Sequence, residues 1–149
     1  PYKLWRNDVT GYPTDKKYNA VKVATKEYPS GLATDLQPPL VVLLTQCYGH
    51  SRVLETVMED RLAYLDKLVQ MGADIVPCGK FEAHIYGPTP LIGKRVDSPD
   101  IRAGMALVVA GLIAKGETKI GEIYEIGRGY ERIAERLQAL GADIKPVEE

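Results

Sequence analysis

Apolar and polar positions alternate over Ala20–Thr25 ("AVKVAT"), the period of a half-buried strand. Ahead of it, residues 1–21 break into short strand-like pieces punctuated by Gly, Pro, Asp and Asn. The pattern then changes. "TDLQPPLVVLLTQCYG" is a long apolar run that opens with Thr34 and, three residues on, Gln37. That spacing predicts a capping box at the start of a helix, with Gly49 closing it. Ser51–Val57 reads as a strand, and Arg61–Met71 as a helix ended by Gly72. "DIVPCG" and "EAHIYG" read as two strands joined by a Gly-Lys turn, and "GKRVDS" as the next strand. Ser98 as N-cap, with Pro99 at the first helical position, predicts a helix through "DIRAGMALVVAGLIAKG" ended by Gly116. "ETKIGEIYEI" then reads as a strand, Tyr130–Leu140 as a helix ended by Gly141, and "DIKPV" as the start of another strand.

The two halves stay in register when laid over each other. Gly49 to Arg61 has the same spacing as Gly116 to Arg128, and both second helices run into "GADI". This is an internal repeat of about 65 residues in strand–helix–strand–helix–strand–strand order. It divides the chain into leading strands (1–21), a first βαβαββ unit (22–87) and a second, truncated unit (88–149), together one partial domain. Alternating elements of this kind predict an α/β (α+β) fold with helices packed on sheets. "GMALVVAGLIA" is apolar almost all round, so the first helix of each unit is expected deep inside.

Composition narrows the partners. Charged residues make up 26% of the 149 and the formal net charge is -1, so no global field recruits nucleic acid or an anionic membrane surface. "PPLVVLLTQC" is too short to span a bilayer, and the n-region, h-region and cleavage site of a signal peptide are missing. A cytoplasmic location is expected. Cys47 and Cys78 make neither a disulfide framework nor a metal motif and read as ordinary thiols of a reducing compartment. His50 and His84 lack ligand spacing, so no metal or other cofactor is expected. "GRGYE" has neither of the phosphate-loop spacings, and "GPTP" (Gly87–Pro90) reads as a rigid link. With Pro1 first, in mid-pattern and with no Met, the chain is expected to be a piece of something longer.

Any anion site must therefore be local, and the predicted helix starts offer one. Asp35 opens the first helix and Asp100 with Arg102 the third; Arg61 and Arg128 open the second and fourth. The carboxylates cap orphan N–H groups and complement the helix dipole. The arginines oppose it, at about 0.3–1 kcal/mol each. Three in equivalent connections suggest an anion among them, since guanidinium forks and helix-start N–H groups both suit phosphate or carboxylate. The plainer alternative pairs each with a neighbouring acid: Asp60 or Glu59 for Arg61, Asp100 for Arg102, Glu131 for Arg128.

"ATDLQPPLVVLLTQ", "ETVMEDR", "GADI", "DIRAGMALVVAGLIAKGET" and "RGYERIAERLQALGADI" together resemble the C-terminal part of the enolpyruvyl transferases, from about Lys22 to Ile144. The resemblance is to the branch that acts on UDP-N-acetylglucosamine. The sister branch, 5-enolpyruvylshikimate-3-phosphate synthase, typically has a compact E-T-D-R where this chain has "ETVMEDR". The resemblance implies an inside-out α/β barrel of βαβαββ units, three to a domain, with helices inside and sheets outside. It implies transfer of an enolpyruvyl group from phosphoenolpyruvate to the sugar 3-hydroxyl with release of phosphate, the first committed step of peptidoglycan synthesis. On this resemblance Asp35 in "TDLQ" matches an aspartate that contacts the sugar hydroxyl and acts as general base. Val57 in "ETV" matches a position whose backbone contacts the sugar. Arg61, Arg102 and Arg128 match arginines that bind the anionic groups of phosphoenolpyruvate.

The chain also departs from the family. "YPSGLATD" is one residue longer than the usual Y-P-G-F-P-T-D. The family's N-terminal lysine and its mobile loop with a cysteine proton donor come from upstream sequence, and neither Cys47 nor Cys78 matches that loop. The resemblance thus implies a missing N-terminal half as partner, an isolated piece that is inactive, and self-association to cover apolar helix surface. Two other readings stay open: a non-catalytic module that captures an anionic metabolite, and a pair of structural repeats whose arginines are surface ion pairs.

Overall fold

The computed structural model describes residues 2–5, 8–11, 17–27 and 30–147. At the start, β1 (Tyr2–Trp5) and β2 (Asp8–Gly11) form an antiparallel pair. From Lys22 the elements are β3 (Lys22–Ala24), a 3-10 turn (Thr34–Leu36) running into α1 (Gln37–Leu44), β4 (Gly49–Leu54), α2 (Leu65–Gln70), β5 (Asp74–Cys78) and β6 (Glu82–Gly87). The four strands make one mixed sheet in the order β3-β4-β6-β5, parallel only between β3 and β4, where α1 supplies the crossover. Beyond it come β7 (Arg95–Asp97), α3 (Ile101–Ile113), β8 (Lys119–Gly121), α4 (Tyr124–Gly129) and α5 (Ile133–Ala139). β7 and β8 are again parallel, with α3 as the crossover.

Period-two alternation gives the four-stranded sheet two unlike faces. Ser51, Val53, Ile75, Ala83 and Ile85 point inward beneath the helices. Arg52, Val76, Glu82, His84 and Tyr86 line the other, more solvated face. α1 and α3, both apolar nearly all round, pack on each other, and the core runs through Val41, Val42, Leu68 and Leu107. The glycine link is anchored as well: Thr89 N donates to the Thr45 carbonyl at 2.8 Å, and Gln46 Nε2 donates to the Thr89 carbonyl at 2.9 Å. Among the described residues no helix is long and apolar enough to cross a membrane.

Several local expectations are corrected. The Thr34–Gln37 capping box does not form. The Gln37 N–H that the box would use donates to the Thr34 carbonyl, closing the 3-10 turn, and the N-cap place falls to Leu36. Thr34 Oγ1 instead donates to Glu55 Oε2. Nor does Gly49 close α1; the helix ends at Leu44, and Gly49, at φ +107°, begins β4. The second helix is shorter than expected, with Arg61 in the turns before α2, though Gly72 (φ +95°) does end it. Asp100, not Ser98, caps α3, because its Oδ1 accepts from both Arg102 N and Ala103 N. The strand expected over 117–126 stops at Gly121. Glu122 turns the chain at φ +52°, and α4 follows, burying Ile126 against α3. α5 is shorter than the expected Tyr130–Leu140, and residues 142–147 form no regular element.

That α3–α4 approach depends on Gly104. A Cβ there would lie 2.1 Å from Ser98 Oγ and 2.6 Å from Ile126 Cγ1. Gly104→Ala gains about 1 kcal/mol of helix propensity but overpacks at about 1–3 kcal/mol. The expected result is a net loss in urea denaturation, larger still for Gly104→Val.

The solvated sheet face carries its own ion pair. Arg52 Nε and Nη2 donate to the two Glu82 oxygens at 2.6 and 2.7 Å, and His84 Nε2 lies 2.9 Å from Oε1. The bond from Arg52, then the one from His84, hold the Glu82 carboxyl down at about 2, below its ordinary 4.5. A carboxyl depressed on folding contributes stability that is full above its unfolded value and lost as pH falls through the folded one. Stability should therefore decline between about pH 4.5 and 2, and the decline should be shallower in Glu82→Gln.

Candidate functional site

The 3-10 turn ahead of α1, the turns ahead of α2 and the first turn of α3 meet at one end of the helical layer. They bring three of the sequence-predicted residues together. Asp35 Oδ1 lies 3.5 Å from Arg61 Nη1 and 3.6 Å from Arg102 Nη1. Asp35 faces solvent, its side chain 65% exposed, whereas Arg61 forms the floor at 5% and Arg102 the wall at 33%. Arg102 is steadied from behind, since its Nε donates to Asp100 Oδ1 at 3.2 Å. Neither contact with Asp35 reaches hydrogen-bond length, and Arg61 Nη1 is buried with no hydrogen-bond partner among the described residues. A buried guanidinium nitrogen left this way is costly, at about 1–3 kcal/mol or more. With Asp100 counted beside Asp35, two cations meet two carboxylates, so the room for a further anion lies in the unmade bond of Arg61 Nη1 and not in an excess of charge.

Arg128 stands differently. It lies in the last turn of α4, where a cation is favoured by the dipole, so the electrostatic cost expected of it at a helix start does not arise. Its side chain is 62% exposed, and Nη1 donates to Glu125 Oε2 at 2.9 Å. Gly129, its neighbour, packs closely on Ile101, next to Arg102, so α4 adjoins the same end of α3. Of the local pairings expected of the three arginines only Arg102 with Asp100 holds, since Arg128 takes Glu125 in place of Glu131. Arg61 faces Asp35, while Asp60 lies 3.6 Å from Lys80 Nζ.

Glu55 is the residue that sequence reasoning missed. It leaves the end of β4 almost fully buried and accepts four hydrogen bonds. Thr25 Oγ1, Val57 N and Met58 N donate to its Oε1 at 2.8, 2.9 and 3.1 Å, and Thr34 Oγ1 donates to Oε2 at 2.9 Å. Burial pushes its carboxyl upward, but the bonds from Val57, Thr25, Thr34 and Met58 outweigh it and hold the group below the usual range. Thr56 closes the network, its N and Oγ1 donating to Thr25 Oγ1 and the Thr25 carbonyl. Tyr64 is buried and donates to Gln37 Oε1 at 3.4 Å. Burial raises its hydroxyl well above the ordinary phenol range, so it stays a donor.

A family model for EPSP synthase (3-phosphoshikimate 1-carboxyvinyltransferase) matches residues 6–137. A UDP-N-acetylglucosamine 1-carboxyvinyltransferase of Halothermothrix orenii is 47% identical over 136 residues, covering 90% of this chain and 32% of the relative. One of the same name from Helicobacter acinonychis is 40% identical over 149 residues, covering 100% and 35%. The chain thus spans about a third of the length of the curated relatives it matches. Among solved structures, the enolpyruvyl transferase NikO from Streptomyces tendae superposes with a TM-score of 0.89 at 27% identity, over 97% of this chain and 33% of that one. An EPSP synthase from Acinetobacter baumannii, at 22% identity and a TM-score of 0.62 over 87% and 28%, shares the fold. The family match begins before β2 and ends inside α5, taking in every element that supplies the cluster, and the chain belongs to the EPSP synthase family.

Proposed function

We propose that this chain is the C-terminal part of a cytoplasmic enolpyruvyl transferase that joins phosphoenolpyruvate to the 3-hydroxyl of UDP-N-acetylglucosamine. The observation that carries the reading is the buried Arg61 guanidinium, unsatisfied at Nη1 and converging with Arg102 on Asp35. Phosphoenolpyruvate brings a carboxylate and a phosphate to two preorganised cations. Asp35 takes the proton of the sugar hydroxyl as its oxygen bonds to the enol carbon, while the C=C electron pair takes a proton at the methylene carbon from an acid of the N-terminal half. Loss of a proton from the resulting methyl, with the C–O bond to phosphate breaking, then restores the alkene and releases phosphate. The amide of Val57 is committed to Glu55, so a backbone contact to the sugar falls to the Val57 carbonyl. Arg128 joins by leaving Glu125, an exposed i,i+3 pair of about 0.2–0.5 kcal/mol.

Asp35 is 65% exposed, which suits a cleft whose other wall comes from the N-terminal half. In this reading the units build an inside-out barrel with helices inside. Leu112 and Ile113 at the end of α3 are exposed, and self-association of the isolated piece would cover them.

The test is phosphate release by the full-length protein. Release should require phosphoenolpyruvate and UDP-N-acetylglucosamine together, with none from the piece alone. Release with shikimate 3-phosphate in place of the sugar nucleotide would assign the sister reaction. Binding of phosphoenolpyruvate without release under either condition would leave an anion-binding module.

A further inference from the structure

We infer that Glu55 is a positioning residue that aligns the acceptor against Asp35, an inference that rests on the functional reading above. One carboxylate ties together three stretches far apart in sequence: Thr25 after β3, Thr34 beside Asp35, and the Val57–Met58 backbone leaving β4. A trans peptide points its carbonyl opposite to its N–H. With the amides of Val57 and Met58 both aimed at Glu55 Oε1, the carbonyls of Thr56 and Val57 are turned away from it. The Oε2 bond to Thr34 meanwhile fixes the turn that carries Asp35. Glu55 therefore sets both groups assigned to the acceptor, the base and the Val57 carbonyl, while Arg61 and Arg102 are held by other contacts. It sits buried with both carboxylate oxygens bonded, Oε1 to three donors and Oε2 to one, so its work is alignment and not proton transfer.

The experiment uses the full-length protein with Glu55→Gln, Thr34→Val, Thr34→Ser and the Glu55→Gln/Thr34→Val double variant. Glutamine keeps the shape and one acceptor oxygen, but turns donor hydrogens toward Thr34. Expected for Glu55→Gln is a fall in kcat of about tenfold and a raised KM for the sugar nucleotide, with the KM for phosphoenolpyruvate within about twofold of wild type. Thr34→Val should lose a similar factor, Thr34→Ser should restore most of it, and the double variant should be no worse than the weaker single. Hydrogen exchange at the Val57 and Met58 amides should quicken about tenfold in Glu55→Gln. An unchanged kcat with only a lower Tm, equal losses in both KM values, or unaltered exchange would overturn the assignment. Wild-type protein that releases no phosphate would instead overturn the functional reading, and the exchange arm would then decide the alignment claim alone.

Discussion

Replacing Arg61 with glutamine is expected to weaken phosphoenolpyruvate binding by at least about 30-fold, and by up to about 4,000-fold, the range that follows from losing one partner of a buried charge pair at about 2–5 kcal/mol. The size follows from where the guanidinium sits. Its side chain is 5% exposed, so its charge is poorly screened by water, and Nη1 has no internal hydrogen bond to compete with a ligand. Glutamine fits much of the stem but supplies neither the charge nor the five-donor fork. Arg61→Lys should recover only a minor part, because a point charge cannot hold two oxygens in a plane. The fold should tolerate the loss, since removing a buried cation with an unmade bond also removes a desolvation cost. Calorimetry with phosphoenolpyruvate, beside a urea titration of the same variant, separates the two effects. Binding within about threefold of wild type would remove Arg61 from any anion site.

Much of this was legible in the chain because the signals are local. The alternation of "AVKVAT", the paired "EAHIYG" and "DIVPCG" runs, and the glycines at 72, 116 and 141 with positive φ mark strands and helix ends within a few residues. The convergence of Asp35, Arg61 and Arg102 was legible only through the register of the two halves and the motifs that resemble a known family. What was not legible depends on partners distant in sequence. Thr34 could be read as a cap because capping is a four-residue rule, yet its hydroxyl goes to Glu55, 21 residues on. Glu55 had no local mark as a hub. Its donors include Thr25, 30 residues upstream, and two amides of its own exit turn. Arg128 was misplaced for a related reason. "GEIYEI" alternates like a strand, but packing of Ile126 onto α3 wins, and the arginine falls at a helix end instead of a helix start.

Asp35→Asn should move binding and turnover in opposite directions. The carboxylate now competes for both guanidiniums, at 3.5 Å from Arg61 and 3.6 Å from Arg102, so it opposes any anion that enters between them. Asparagine is nearly the same size and removes that competition, so phosphoenolpyruvate should bind the variant at least as tightly as wild type. Asparagine cannot take the proton from a hydroxyl, however, and loss of a positioned general base costs about 10²–10⁴ in rate. The full-length variant should therefore keep or improve its affinity for phosphoenolpyruvate while kcat for phosphate release falls by that factor. Arg61→Gln should show the reverse pattern, with affinity lost first. The contrast matters because a role for Asp35 in structure alone would lower stability and leave affinity and turnover moving together. A kcat within about fivefold of wild type would remove Asp35 from the chemistry, since even the low end of general-base loss is about a hundredfold. The arginines would then remain as an anion clamp whose base lies elsewhere.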